Sequence, residues 1–419
     1  MIRYEKYKES GIDWIGAVPV DWEVKKLKHM LLGVYSGEGI SNNEMEEDGE
    51  YEIYGGNGVM GYTNKYNSDG EIIVIGRVGA KCGVTYLLDK RIWISDNALQ
   101  TKTSQNYRYL FYLLEAIDFN QYANQNAQPL ITGTLVKNFS VPFLKCKDEQ
   151  FSIAHYLDIQ TQKIDQLITN KKVQTEKLKE LRQIEINNAV TKGLNPHGEM
   201  KDSDIDWLGE IPKHWDVKRL KNVAHVNQSV INEKTDPEYE IKYIDIGNVT
   251  SNGQFLEIQE MTFSEAPSRA RRKPKHNSII LSTVRTYLRA IAFIENPDEN
   301  LIASTGFAVI DAFEKLFDAS YLYFQMISQI VVERVIANSE GVSYPAISST
   351  KLGDIKIIIP PKTEQEKIAS YLKERVSGID KLIKNVEVQI LKLQELRKIK
   401  IYEAVTGKIK VNSYAETTA

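Results

Sequence analysis

The stretch STVRTYLR at 282–289 places Arg285 and Arg289 four residues apart beside Thr283 and Tyr287. Arginine is the side chain that reads guanine through two parallel hydrogen bonds, while hydroxyls and lysines mostly position phosphate. With Ser282 and Tyr344, these residues form one candidate set for nucleic-acid contact. Two glycine-rich segments, YGGNGVMGYTNKYN at 54–67 and IGRVGAKCG at 75–83, form another. Glycines let backbone amides approach an anion closely, and turn formation is the competing reading. The interleaved Tyr62, Lys65, Tyr66, Arg77 and Lys81 favour a DNA-facing loop over a nucleotide pocket. The candidates here are Gly56, Asn57, Lys65, Arg77 and Lys81, with Gln128 on the exit loop. Each also fits a structural loop or a phosphate contact that carries no sequence information.

No catalytic signature accompanies these sets. The chain has neither a GxxxxGK[ST] phosphate loop nor a GxGxxG opening a helix after a strand. The Asn or Asp followed by Pro-Pro-Tyr that would hold a flipped adenine is missing, and Asn195-Pro196 runs into His197 as a helix-ending loop. Asp236, Glu240 and Lys242 mimic the tail of a metal-dependent nuclease motif, a pattern that arises easily in so charged a chain. The histidines are scattered, and Cys82 and Cys146 are too few for a disulfide framework. The expectation is therefore no catalytic residue, no metal and no cofactor in this chain.

The elements that would carry the candidate sets are organised by repetition. SGIDWIGAVPVDWEVKKLK at 10–28 returns as SDIDWLGEIPKHWDVKRLK at 203–221, with Trp14 and Trp22 matched by Trp207 and Trp215. EQFSIAHYLDIQTQKIDQLI at 149–168 matches EQEKIASYLKERVSGIDKLI at 364–383, and Pro129, Ile131 and Thr134 precede one copy as Pro345, Ile347 and Thr350 precede the other. Each half thus runs as a tryptophan strap, a variable body, an exit strand and a long helix. Ile153, Leu157, Ile164, Leu167, Leu178 and Leu181 fall on a near-heptad stripe, as do Ile368, Leu372, Ile379, Leu382, Val386, Leu393 and Leu396. Gln160 and Gln174 in one stripe, and Arg375 and Gln389 in the other, suit helices that pack on each other and on a partner rather than a free zipper. Gly193, Pro196 and Gly198 end the first helix. The bodies, which mix β-rich runs such as EIIVIGRVG and NSIILSTV with helical ones, are unlike each other over most of their length, and this predicts small α/β domains.

Bulk composition agrees with a soluble protein: 419 residues, 42% apolar and 26% charged. Apolar runs stay far below the roughly 20 residues that span a bilayer, and the N-terminus lacks a signal core, so the expected place is the cytoplasm. A net charge of -3 speaks against a uniformly basic nucleic-acid binder. Yet between Thr262 and Ala292 the side chains Arg269, Arg271, Arg272, Lys273, Lys275, Arg285 and Arg289 meet only Glu265 as an acid.

The paired straps, the paired EQ...IA.YL......ID.LI helices, and bodies carrying YGGNG...GRVGAKCG...WISDNA and STVRTYLR...STGFAVI resemble the specificity subunits of type I restriction-modification systems. The resemblance covers essentially the whole chain. It implies a mixed α/β fold in which two target recognition domains are separated by two long helices forming an antiparallel coiled coil, with an internal pseudo-twofold repeat. The implied division is a strap at 1–29, a first recognition domain at 30–147, a spacer helix at 148–192, a linker and second strap at 193–222, a second recognition domain at 223–361, a spacer helix at 362–408 and a flexible tail at 409–419. It further implies double-stranded DNA with a split target, two docked adenine methyltransferase subunits, and restriction subunits joined through them. S-adenosylmethionine, ATP and Mg belong, on this resemblance, to the partner subunits. A coiled-coil scaffold that binds only protein is the alternative reading, and a self-sufficient methyltransferase is disfavoured by the missing motif.

Overall fold

The computed structural model describes residues 3–79, 81–123 and 129–411. Its contacts divide the chain into two units, Met1–Lys172 with Val388–Ala419, and Val173–Glu387. The division falls inside both long helices, so each unit holds one body and a stretch of each helix.

The first unit opens with the tryptophan strap, in which β1 (Tyr7–Glu9) pairs antiparallel with β2 (Ala17–Pro19). β3 (Glu23–Lys26) follows, then β4 (Leu31–Ser36), β5 (Tyr51–Gly55), β6 (Gly58–Thr63), β7 (Glu71–Gly76), β8 (Thr85–Asp89), β9 (Trp93–Ile94) and β10 (Ala98–Thr103). The chain continues through α1 (Tyr107–Ile117), α2 (Gly133–Asn138), β11 (Ser140–Phe143) and the long α3 (Lys147–Lys192). The main sheet has the order β4-β10-β7-β8, and β6-β5-β9 form a smaller one. Along EIIVIG, Ile73 and Ile75 enter the core shared with Tyr109, Leu110 and Leu113 of α1, while Ile72 and Val74 pack with Tyr54 and Ile94 of the small sheet. Burial on both faces is why this strand reads as an unbroken apolar run.

The second unit repeats the plan. Its strap pairs β12 (Met200–Asp202) with β13 (Glu210–Pro212), and β14 (Asp216–Arg219) leads to β15 (Ala224–Val226), β16 (Glu240–Ile244), β17 (Gln259–Thr262), β18 (Ala270–Arg272) and β19 (Ile279–Ser282). β20 (Ile291–Phe293), β21 (Leu301–Ser304), β22 (Phe307–Ala312), α4 (Ala319–Ile327), α5 (Gln329–Ala337), α6 (Ser349–Gly353), β23 (Lys356–Ile359) and α7 (Lys362–Val405) complete it. Here the sheet order is β15-β22-β19-β20, strand for strand that of β4-β10-β7-β8, and a second sheet runs β17-β16-β21-β18. The bodies that are unlike in sequence thus share their central sheet. Pairing runs through the backbone and any apolar residue can fill a buried strand position, so identities drift while the pairing stays.

The repeated motifs mark joints of this frame. Gln150 and Gln365, from the two EQ copies, are fully buried. The Gln150 carboxamide oxygen accepts from Asn106 N at 3.1 Å and its amide donates to Leu144 O at 2.7 Å. The Gln365 oxygen accepts from Asp318 N at 2.8 Å and its amide donates to Pro360 O at 2.8 Å. Each glutamine ties a long helix to the N-cap of the body helix, since Asn106 and Asp318 cap α1 and α4. Trp22 and Trp215 are buried against the glycines that end the long helices, Gly407 at φ +70 and Gly193 at φ +74. A Cβ on Gly407 would sit 2.5 Å from Pro19 Cδ.

Within the first unit Arg397 Nε of α7 lies 3.1 Å from Asp165 of α3. In the second, Arg182 Nε lies 2.9 Å from Asp380, and Arg375 Nη2 lies 2.9 Å from Glu185, so α3 and α7 pair antiparallel. Ile153, Leu157, Ile164, Ile368, Leu372, Ile379 and Val386 are buried as expected, and Leu178 and Leu393 are half-buried. Leu167, Leu181, Leu382 and Leu396 are exposed instead; the buried line passes through Thr161, Ile168, Thr175, Arg182 and Ile186, and on α7 through Ile383. The buried positions keep a seven-residue spacing, so the period is as read and the phase is not: Leu167, Leu181 and Leu382 each lie one residue before the buried Ile168, Arg182 and Ile383, and one residue turns a helix by about 100°. Of the expected tail, Ile409 is buried in the core, and residues 412–419 lie outside the described residues.

Candidate nucleic-acid interface

The loop after β7 and the loop after β19 hang on the same backbone bonds. In the first unit Arg77 N donates to Asn97 O at 3.0 Å, Ile131 N to Arg77 O at 2.9 Å, and Gly79 N to Pro129 O at 3.2 Å. In the second, Thr283 N donates to Gly306 O at 2.8 Å, Ile347 N to Thr283 O at 2.9 Å, and Arg285 N to Pro345 O at 2.8 Å. The isolated bridges Val78 with Leu130 and Val284 with Ala346 complete the match. Arg77 is therefore the structural counterpart of Thr283, and Gly79 that of Arg285. The bodies, unlike in sequence over most of their length, thus correspond residue for residue at these positions. Backbone hydrogen bonds do not depend on side-chain identity, so the sequence carries little sign of the correspondence beyond the Pro129 and Pro345 and the Ile131 and Ile347 pairs.

Arg77 Nη1 lies 3.2 Å from Ser36 Oγ and 3.3 Å from Asp96 O, while its Nε is buried without a hydrogen-bond partner. Ser36 and Asp96 are thus positioning residues for Arg77 that the sequence did not single out; Asp96 lies within the motif WISDNA. Lys81 and Asn57 are exposed. Gly56 is buried, and a Cβ there would meet Val78 O at 2.5 Å, so its glycine is accounted for by close backbone packing. Lys65 is exposed and 2.9 Å from Glu44, whose carboxyl is held down at about 2 by hydrogen bonds from Lys65 and Ser41. Gln128 lies outside the described residues.

In the second unit Ser282 is buried with its hydroxyl donating to Val284 O at 2.6 Å, and Thr283 Oγ1 donates to Gly306 O at 2.9 Å. The Arg285 guanidinium stacks 4.6 Å from the Tyr344 ring. Arg289 is half-buried and lines a cleft of about 20 Å³ with Arg182, Asn252 and Tyr323. Arg285, Tyr287 and Tyr344 are left facing solvent. The basic run before this loop is partly spent internally. Arg269 pairs with Asp245 and Tyr243, Arg271 stacks on Phe263, and burial pulls the Arg272 guanidinium pKa down. Lys242 is 2.7 Å from Asp298, which makes it one half of a surface ion pair. Among the described residues no group of three or more His, Cys, Asp or Glu is placed to hold a metal, and no helix is long and apolar enough to cross a membrane.

Relatives match nearly the whole chain. The chain is 25% identical over 422 residues to the type I restriction enzyme MjaVIII specificity subunit of Methanocaldococcus jannaschii, covering 98% of this chain and 92% of that protein. It is 23% identical over 443 residues to the MjaIX specificity subunit of the same organism, with 97% of each covered. Among solved structures, a chain from work described as the structural basis underlying complex assembly and conformational transition of the type I R-M system matches with a TM-score of 0.65 at 12% identity. That match covers 93% of this chain and 98% of that one. The family model described as the type I restriction modification DNA specificity domain matches twice, over residues 19–180 and 212–392. Each match takes in the end of one strap, one body and part of one long helix, and together they cover most of the chain, so the chain belongs to the family of type I restriction-modification specificity subunits.

Proposed function

We propose that this specificity subunit reads a split, asymmetric DNA target, the first unit taking one half-site with the loop at 77–83 and the second the other with the loop at 283–289. The observation that carries the reading is one backbone scaffold presenting different side chains, Arg77 and Gly79 in one unit, Thr283 and Arg285 in the other. Reading two unlike half-sites calls for that arrangement, because the major groove gives each base pair its own donor and acceptor pattern. In this reading the chain is non-catalytic and acts in the cytoplasm. Methyltransferase subunits bind S-adenosylmethionine and flip the target adenine, and restriction subunits join through them with ATP and Mg. The exposed Leu167, Leu181, Leu382 and Leu396 supply apolar helix surface for docking, and α3 and α7 set the gap between half-sites.

The test is a long-read methylome of a host carrying the partner genes with Arg285→Ala or Arg77→Ala. Loss of a bidentate arginine contact costs about 1–3 kcal/mol of discrimination, so each variant should relax or abolish one half-site and leave the other unchanged. Wild-type methylation patterns in both variants would refute the assignment.

A further inference from the structure

Resting on the reading that the second unit contacts duplex DNA, we infer that its loop after β19 drives an apolar wedge, Tyr287 with Leu288, into a base step of its half-site. Tyr287 is 51% exposed and Leu288 43% exposed. Both sit in the single turn of 3-10 helix Thr286–Leu288, and the residues on either side, Arg285 at φ 52 and Arg289 at φ 56, are left-handed without being glycine. Such conformations persist only where the surroundings over-determine them. Here Thr286 is buried with its hydroxyl 2.9 Å from Ser339 Oγ, and Arg285 N is tied to Pro345 O at 2.8 Å. Leu288 N donates to Arg285 O at 2.8 Å, which closes the turn. The tip is thereby held outward, and two large apolar side chains are kept in solvent by a strained, braced backbone.

The neighbouring segment enlarges the patch. The bridge between Glu340 and Ala346 closes a short loop on which Val342 is fully exposed and Tyr344 is 60% exposed. Arg285 stacks on that tyrosine, setting a cation at the edge of the apolar surface. An aromatic ring and a branched aliphatic on a rigid tip, with a guanidinium beside them, is the equipment of a side-chain wedge. The ring stacks on a base, the aliphatic group opens the step, and the guanidinium beside them reaches the edge of the neighbouring base pair. A protein partner would also cover apolar surface, but the cation at the rim and the scaffold shared with the Arg77 loop favour nucleic acid. The counterpart stretch in the first unit has an exposed Lys81, a buried Cys82 and glycines at 79 and 83, so distortion is confined to the second half-site.

The experiment uses the full chain assembled with its methyltransferase subunits, and a duplex bearing the target found in the methylome. Donor and acceptor dyes flank one half-site or the other. Wedge insertion kinks a duplex by roughly 20–90°, so binding should raise energy transfer across the second half-site. Tyr287→Ala with Leu288→Ala should abolish that change and weaken binding about tenfold, while Tyr287→Trp retains both. An unchanged kink in the double variant would overturn the inference, as would a variant that keeps kink and affinity but sheds its methyltransferase, which would make the patch a protein interface. Wild-type complex that prefers no split sequence over random DNA would defeat the underlying DNA reading, a result distinct from sequence-specific binding without a kink.

Discussion

Gly56→Ala separates packing from recognition in the first unit. The added Cβ would lie 2.5 Å from Val78 O and 3.2 Å from Asn97 O, both backbone atoms that cannot swing aside. Ordinary contact begins near 3.4 Å, so the Val78 carbonyl must retreat by roughly 1 Å. Val78 lies between Arg77, whose amide and carbonyl are bonded to Asn97 and Ile131, and Gly79, bonded to Pro129. A shift of that size exceeds the few tenths of an ångström over which a hydrogen bond keeps its geometry. Forced overpacking of this kind costs about 1–3 kcal/mol, which for a unit of this size lowers the melting temperature by about 3–10 °C. Gly56 is not at positive φ, so no separate conformational penalty enters. Gly247→Ala, with nothing within 4 Å of the new Cβ, is the control and should leave melting unchanged. Differential scanning fluorimetry reads stability, and methylation of two-half-site duplexes reads function. The expected result is a lower melting temperature with loss confined to the first half-site. A Gly56→Ala variant with wild-type melting that still loses the half-site would show that the glycine contacts DNA directly, and the packing argument would be refuted.

Arg182→Leu strands Asp380 and should cost about 1–3 kcal/mol, less than a fully buried pair because Asp380 is partly exposed. Adding Asp380→Leu should recover most of it in urea titrations, and no recovery would mean that the ion pair is not what Arg182 contributes. Gln365→Leu leaves Asp318 N and Pro360 O without their bonds and should cost about 2–4 kcal/mol; an unchanged urea midpoint would count against the joint described above. Burial and the nearby Glu52 carboxylate push the Tyr54 phenol up to about 12 from 10.0. A pKa raised by folding adds stability that is whole below the unfolded value and is lost as pH climbs from 10 toward 12. Tyr54→Phe should therefore lose less stability than wild type between pH 9 and 11.5, and equal losses would contradict it.

The tryptophan straps, the EQ motifs and the apolar runs were legible because each is a local pattern that burial imposes directly. Trp22, Trp215, Gln150 and Gln365 are buried joints in both units, and EIIVIG is a strand covered on both faces. The helix seam was legible in kind but not in phase. Choosing Leu167 over Ile168 needs the partner helix, since a difference of one residue turns the stripe by about 100°. Glycine at 56 reads equally as anion cradle or turn until Val78 O is found 2.5 Å from where a Cβ would be.

By itself, then, the sequence determined the duplicated frame, the family and the two stretches that hold the matching loops, because repetition and periodicity survive in linear order. The tertiary structure alone decided that Gly79 and Arg285 occupy one place on one scaffold, and that Arg285 faces out while Ser282 turns in. Those facts rest on backbone hydrogen bonds between segments about 50–60 residues apart, such as Arg77 with Ile131 and Arg285 with Pro345, which leave almost no trace in side-chain identity.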